Sequence, residues 1–122
     1  RELGVEHRVD LLGFVDNVAS WYHKADVFVL TSIYEGLPAV VFEALGANCP
    51  VITTDCFLAA KEILGQAKCC HVADTPSPGA IAAMIDDCLN EQRPNNLTRI
   101  AQAYSVENGI KSHVEAISKA MA

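Results

Sequence analysis

Residues 25–55 read ADVFVLTSIYEGLPAVVFEALGANCPVITTD and contain two apolar runs with a helical pattern between them. The first run is Val27–Leu30 and the second is Val51–Ile52, and each is followed by polar residues. Short apolar runs of this kind are typical of strands that are buried on both faces of a sheet. Because Pro38–Ala47 between them predicts a helix, the order indicates a right-handed βαβ unit with parallel strands.

The alternation continues on both sides of this unit. Val9–Val15 and Ala67–Val72 are two further strand candidates, and Val18–Lys24 and Ala59–Leu64 have helical patterns. The sequence therefore predicts an α/β fold, in which a Rossmann-like parallel sheet of about four strands has helices on both faces.

After Ala73 the patterns are helical only. Ser77 and Pro78 predict a helix start, with serine as the cap and proline at the first helical position, and Pro94 ends that helix. A second helix is predicted over Leu97–Tyr104. The last helix, after Ser105, has an amphipathic stripe that we expect to serve packing more than membrane binding, because acidic and basic residues balance on its polar face.

The chain opens without methionine, so we expect it to be part of a larger protein. We interpret residues 1–122 as one partial domain, with alternating strands and helices in 1–75 and C-terminal helices in 76–122. No apolar run approaches the roughly 18 residues of a spanning helix.

Composition and charge narrow the function classes. The net charge is −6 and only nine residues are Lys or Arg, which argues against a nucleic-acid surface. Five cysteines cannot all pair within the chain, so we expect reduced thiols and a cytoplasmic protein, peripheral to the inner membrane surface at most. The four histidines lack ligand spacing, so no metal site is predicted.

The residues best suited to ligand binding or catalysis lie in the segment 32–45, which directly follows a predicted strand. It therefore lies at the carboxyl edge of the sheet, where open α/β folds bind ligands. Neither Gly36 nor Leu37 offers a side-chain oxygen to cap the helix that begins near Pro38. The backbone amides left without a cap are those of Ala39, Val40 and Val41. Such a helix start suits a phosphate, although water or Glu35 is an alternative partner.

Two glutamates make this prediction more specific. Glu43 lies in an apolar helix and needs a partner there, and its side chain leans back toward the helix start that Glu35 flanks. Carboxylates on either side of an anion site fit a ligand with hydroxyls at both ends and a diphosphate between them, as in a nucleotide sugar. The alternative is a structural Glu35 cap together with a Glu43 held by backbone amides or a buried lysine.

The run Glu35-Gly36-Leu37-Pro38, with Glu43 eight positions after Glu35, resembles the group 1 retaining glycosyltransferases of the GT-B fold. The resemblance covers residues 9–75. Its other parts are Leu12–Val15, Trp21-Tyr22, Ala25–Ser32, Cys49–Asp55 and Glu62. The fold it implies is part of the C-terminal, donor-binding domain of such an enzyme.

The resemblance also implies roles for these residues. Glu35, the catalytic position, contacts the transferred sugar, and Glu43 binds the nucleotide ribose. The backbone of Gly36, Leu37, Pro38, Ala39 and Val40 lies along sugar and diphosphate, with Phe14 and Val15 near the base. Both carboxylates are assigned to binding and electrostatics, not to proton transfer. Many relatives have Glu-Gly-Phe-Gly-Leu-Pro, whereas the loop here is shorter, so the resemblance does not extend to the shape of the sugar pocket.

We therefore expect the intact enzyme to transfer a sugar, with retention, from a nucleotide-diphosphate sugar to a saccharide or glycolipid held by an N-terminal domain, as in polysaccharide biosynthesis. No cofactor is predicted, and the partial chain alone is expected to be inactive. Two alternatives remain: another GT-B enzyme, such as an epimerase or phosphorylase, and a non-catalytic α/β binding module in which both glutamates are structural.

Overall fold

The strands lie where short apolar runs can be buried on both faces. In the computed structural model, which describes residues 3–74, 77–92 and 95–121, they are β1 (Phe28–Leu30), β2 (Val51–Thr54) and β3 (His71–Ala73). They form a parallel sheet of three strands within those ranges, in the order β1-β2-β3. The predicted parallel α/β architecture is confirmed.

Helices flank this sheet and alternate with its strands. A short 3-10 turn (Glu6–Arg8) comes first, followed by α1 (Val18–Lys24), α2 (Ala39–Gly46), α3 (Ala60–Leu64), α4 (Pro78–Asn90), α5 (Leu97–Ala103) and α6 (Val106–Ala120). The predicted bounds of α1 are confirmed. Ser77 caps α4 by accepting a hydrogen bond from the Ala80 amide at 3.2 Å, also as predicted. Pro94 lies outside the described residues.

The core forms where β2 meets α2. All four residues of β2 are buried, because it pairs with a strand on each side. On α2 the buried residues are Val41, Ala44 and Leu45, which form one apolar face. The helix packs against β1, β2, α1 and α5. This packing fixes α2, and with it the segment that connects β1 to α2.

One predicted strand is absent from the described residues. Val9–Val15 forms no strand, and Phe14 is 92% exposed. An apolar run becomes a strand only when a neighbouring strand pairs with it, and no described strand lies beside this one. No residue of α6 is buried against the described residues, and the packing role of its stripe stays a prediction.

No helix in the described parts of the chain combines the length and the apolar character needed to cross a membrane.

Candidate functional site

The β1–α2 loop, residues 31–38, lies at the carboxyl edge of the sheet. Two hydrogen bonds fasten it to the end of β2 and the residues that follow: the Thr54 hydroxyl donates to the Ser32 carbonyl, and the Glu35 amide donates to the Cys56 carbonyl at 2.7 Å. Thr54 and Cys56 are both buried. The core therefore holds this loop in place, which is what a preformed ligand site requires.

Glu35 is half-buried and oriented by its own loop. The Ser32 hydroxyl donates to its Oε1 atom at 2.6 Å. Its Oε2 atom accepts no hydrogen bond from the described residues, so one carboxylate oxygen is available to a ligand hydroxyl. Glu35 also does not cap α2, because no side chain does so. The alternative of Glu35 as a structural cap is therefore not observed.

The start of α2 has no side-chain cap, which is also true of α3 and α5. Asn17 caps α1 and Ser77 caps α4, whereas Pro38 at the corresponding position of α2 has no side-chain oxygen. The amides of Ala39 and Val40 have no acceptor among the described residues. With the positive end of the helix dipole, these donors favour an anion.

One predicted donor is not available. The amide of Val41 donates to the Pro38 carbonyl at 3.0 Å, so the expectation of three uncapped amides is wrong by one. The cause is local: the first turn of the helix tightens into a shorter-range bond, a common end for an uncapped helix.

Gly36 leaves the backbone of the loop open to a ligand. A Cβ atom added at Gly36 would meet no atom within 4 Å. Leu37 beside it is 70% exposed, whereas Pro38 is buried. An open backbone followed by a firmly packed helix start lets a ligand approach the α2 amides closely.

Glu43 lies on the side of α2 that faces α1. The Tyr22 hydroxyl donates to its Oε2 atom at 3.5 Å. The two residues line a cavity of about 480 Å³ together with Asp16, His23 and neighbouring small residues. Burial, and secondarily the nearby Glu43 carboxylate, raises the pKa of Tyr22, so this phenol stays protonated and acts as a donor at neutral pH.

The environment of Glu43 corrects one argument from the sequence. The sequence predicts a partner for this side chain on the ground that it is buried. Glu43 is instead exposed, so its charge carries no large desolvation penalty. Its partner is a tyrosine on another helix, not a lysine or a backbone amide. Exposure leaves the carboxylate accessible to a ligand in the cavity.

The two glutamates belong to separate hydrogen-bonded groups. Glu35 bonds with Ser32 inside the loop, and Glu43 with Tyr22 across two helices. No hydrogen bond between described residues joins these groups. That one ligand contacts both carboxylates stays a prediction.

Sequence reasoning missed Tyr22 and Asp16 as neighbours of Glu43. It also missed a second cavity of about 450 Å³, lined by Thr31, Thr54, Ser77, Pro78 and Ile81. The signal for this cavity was present, because the start of a helix that follows β3 lies at the same sheet edge as the end of β1. The position of Tyr22 depends on how α1 packs against α2, which no local pattern reveals.

The other residues with potentially reactive or metal-binding side chains are the histidines and cysteines. No group of three or more potential metal ligands occurs among the described residues. None of the five cysteines forms a disulfide, and all five are buried. Burial raises the pKa of Cys70 to about 12, so its thiol is protonated at neutral pH and is not a nucleophile.

Comparison with known proteins gives one family match. The family described as "Glycosyl transferases group 1" matches residues 1–106. An uncharacterised glycosyltransferase of Methanocaldococcus jannaschii is 43% identical over 63 residues, which are 52% of this chain and 16% of that protein. No solved structure matches.

Two relatives from Campylobacter jejuni have specific names. One, "N-acetylgalactosamine-N,N'-diacetylbacillosaminyl-diphospho-undecaprenol 4-alpha-N-acetylgalactosaminyltransferase", is 37% identical over 66 residues, 54% of this chain and 18% of the relative. The other, "GalNAc-alpha-(1->4)-GalNAc-alpha-(1->3)-diNAcBac-PP-undecaprenol alpha-1,4-N-acetyl-D-galactosaminyltransferase", is 39% identical over 92 residues, 75% of this chain and 25% of the relative. The chain thus spans a quarter or less of these relatives.

Proposed function

The chain belongs to the group 1 glycosyltransferases, and from that premise we propose that it binds a nucleotide-diphosphate sugar at the β1–α2 loop and the start of α2. In the whole enzyme this domain is the C-terminal half of a GT-B fold. The sugar passes with retention of configuration to a saccharide or glycolipid acceptor, which an N-terminal domain holds. The observation that carries the proposal is the uncapped start of α2 directly after Glu35.

The diphosphate is the part of the donor that the helix start suits best. When the glycosidic bond to the diphosphate breaks, negative charge accumulates on the leaving phosphate. Amides aimed at that charge from a fixed helix stabilise it without reorganisation. The free donors of Ala39 and Val40, with the positive end of the α2 dipole, are such groups.

Glu35 is suited to the sugar end of the same ligand. Its Oε1 atom is held by Ser32, which leaves Oε2 for a sugar hydroxyl or for the positive charge that develops at the anomeric carbon. Neither role requires proton transfer. The reaction we propose uses no metal and no cofactor, and the donor itself supplies the leaving group.

Glu43 is suited to the nucleoside end. Its exposed carboxylate lines the cavity between α1 and α2, and a carboxylate can accept hydrogen bonds from both hydroxyls of a ribose. The Campylobacter relatives are named for transfer to undecaprenol-linked saccharides, which supports a lipid-linked acceptor for this enzyme. A lipid-linked acceptor in turn supports peripheral association of this enzyme with a membrane, on the cytoplasmic side.

Calorimetric titration of UDP, GDP and ADP into the full-length enzyme tests this function. We expect one nucleotide to bind, and Glu43→Ala to weaken it by about 1–3 kcal/mol, since a hydrogen bond to a charged group is lost. If no nucleotide binds, the proposed donor site is contradicted. If the folded variant binds equally well, Glu43 is structural and does not bind the ribose. Product analysis separates transfer from epimerisation or phosphorolysis.

Gly36→Ala separates ligand access from folding. A methyl group at this position meets no protein atom within 4 Å, so the free energy of unfolding should change by less than about 0.5 kcal/mol. The same methyl group lies where the donor approaches the backbone, so the KM for the nucleotide sugar should rise at least about tenfold.

The matched control is Gly109→Ala on α6, where an added Cβ is equally unobstructed. It should leave the KM for the donor unchanged. An unchanged KM in Gly36→Ala as well would contradict donor binding along this loop.

A further inference from the structure

Tyr22 connects the core to the candidate ribose site. It is the buried residue of α1, only 6% exposed, and its ring packs edge-on against Phe28 of β1 with the centroids 5.4 Å apart. The hydroxyl of this fixed ring lies 3.5 Å from Glu43 Oε2. A rigid group anchored on the sheet thus reaches a carboxylate on a different helix.

Glu43 has little else to orient it. Its side chain is exposed, and no other hydrogen bond to its carboxylate is found among the described residues. A free glutamate side chain samples many rotamers, and ordering it on binding costs free energy. A hydrogen-bond donor that holds Oε2 in advance reduces that cost and leaves Oε1 available to a ligand.

The phenol also lines the same cavity of about 480 Å³ as Glu43, beside Asp16 and His23. A ligand in this cavity therefore meets the Tyr22–Glu43 pair together. The distance of 3.5 Å is at the long end for a hydrogen bond, and such bonds often tighten when a ligand arrives.

We propose that Tyr22 is a positioning residue for nucleotide binding: its hydroxyl holds the Glu43 carboxylate in the orientation that accepts the ribose hydroxyls. This inference rests on the proposed ribose role of Glu43. It adds a residue from α1, 21 positions earlier in the chain, to the recognition of the donor.

Tyr22→Phe tests the proposal because it removes the hydroxyl and keeps the ring on Phe28. UDP, GDP and ADP are titrated into the full-length enzyme, and the nucleotide that binds is compared with its 2′,3′-dideoxy form. We expect Tyr22→Phe to weaken the ribonucleotide about tenfold and to leave the dideoxy nucleotide unaffected, since the latter has no hydroxyls for Glu43 to accept.

Two controls separate positioning from structure. Tyr104→Phe removes a phenol oxygen from a ring that packs on the neighbouring residue of α2, Phe42, at 5.1 Å, and it should change neither affinity. The proposal is overturned if Tyr22→Phe binds the ribonucleotide as tightly as the wild type does. It is also overturned if the variant loses the same affinity for the ribonucleotide and the dideoxy nucleotide, because that result indicates a packing role. Undiminished ribonucleotide binding by Glu43→Ala overturns the ribose role itself.

Discussion

Replacing Glu35 with glutamine is expected to lower the turnover of sugar transfer by about 100-fold or more. The substitution keeps the size of the side chain and its hydrogen bond from Ser32, but it removes the negative charge. Losing one preorganised electrostatic group from a transition state typically has an effect of this size. Nucleotide affinity should change little, because the charge acts on the sugar end of the donor.

The measurement is the initial rate of the full-length enzyme with donor and acceptor. The matched control is Glu115→Gln, an exposed glutamate on α6, which should keep the wild-type rate. A Glu35→Gln enzyme with the wild-type rate would remove Glu35 from the reaction.

Leu45→Ala is expected to have the largest effect on folding. Leu45 is fully buried in the core between α2 and the sheet, at 0% exposure. Removing a buried leucine side chain loses its burial and leaves a cavity, which together cost about 2–5 kcal/mol of unfolding free energy. Because α2 carries both the uncapped amides and Glu43, nucleotide binding should weaken as the native fraction falls.

Chemical denaturation of wild type and variant measures this effect. Leu89→Ala on α4 is the control, because Leu89 is 54% exposed and its removal should change the unfolding free energy by less than about 0.5 kcal/mol. If Leu45→Ala lowered the unfolding free energy as little as Leu89→Ala, burial of Leu45 in the core would be contradicted.

The fold could be predicted where one segment contained its own signal. The apolar runs of β1 and β2, the helical pattern of α1 and the Ser77 cap of α4 are all local features, and the structure has each of them. The strand predicted over Val9–Val15 is absent for the opposite reason. The segment has the composition of a strand, but strand formation depends on a pairing neighbour, and that is not a local property.

The candidate site, too, could be predicted from the sequence only in part. The place of Glu35 at the carboxyl edge of the sheet follows from the order of elements, and the missing cap of α2 follows from the lack of side-chain oxygens at the helix start. The exposure of Glu43 could not be predicted from the apolar residues around it, because the side of α2 that remains open depends on how α1 and α5 pack. For the same reason its partner Tyr22 was found only in the structure.

Amide spectra test the central claim most directly. The full-length enzyme, labelled with ¹⁵N-alanine, is titrated with UDP, GDP and ADP, and the shifts of the alanine signals are recorded. If the diphosphate lies on the uncapped start of α2, the Ala39 amide should shift strongly while Ala116 on α6 stays unchanged. An Ala39 signal that does not move when nucleotide binding is saturated would contradict the account.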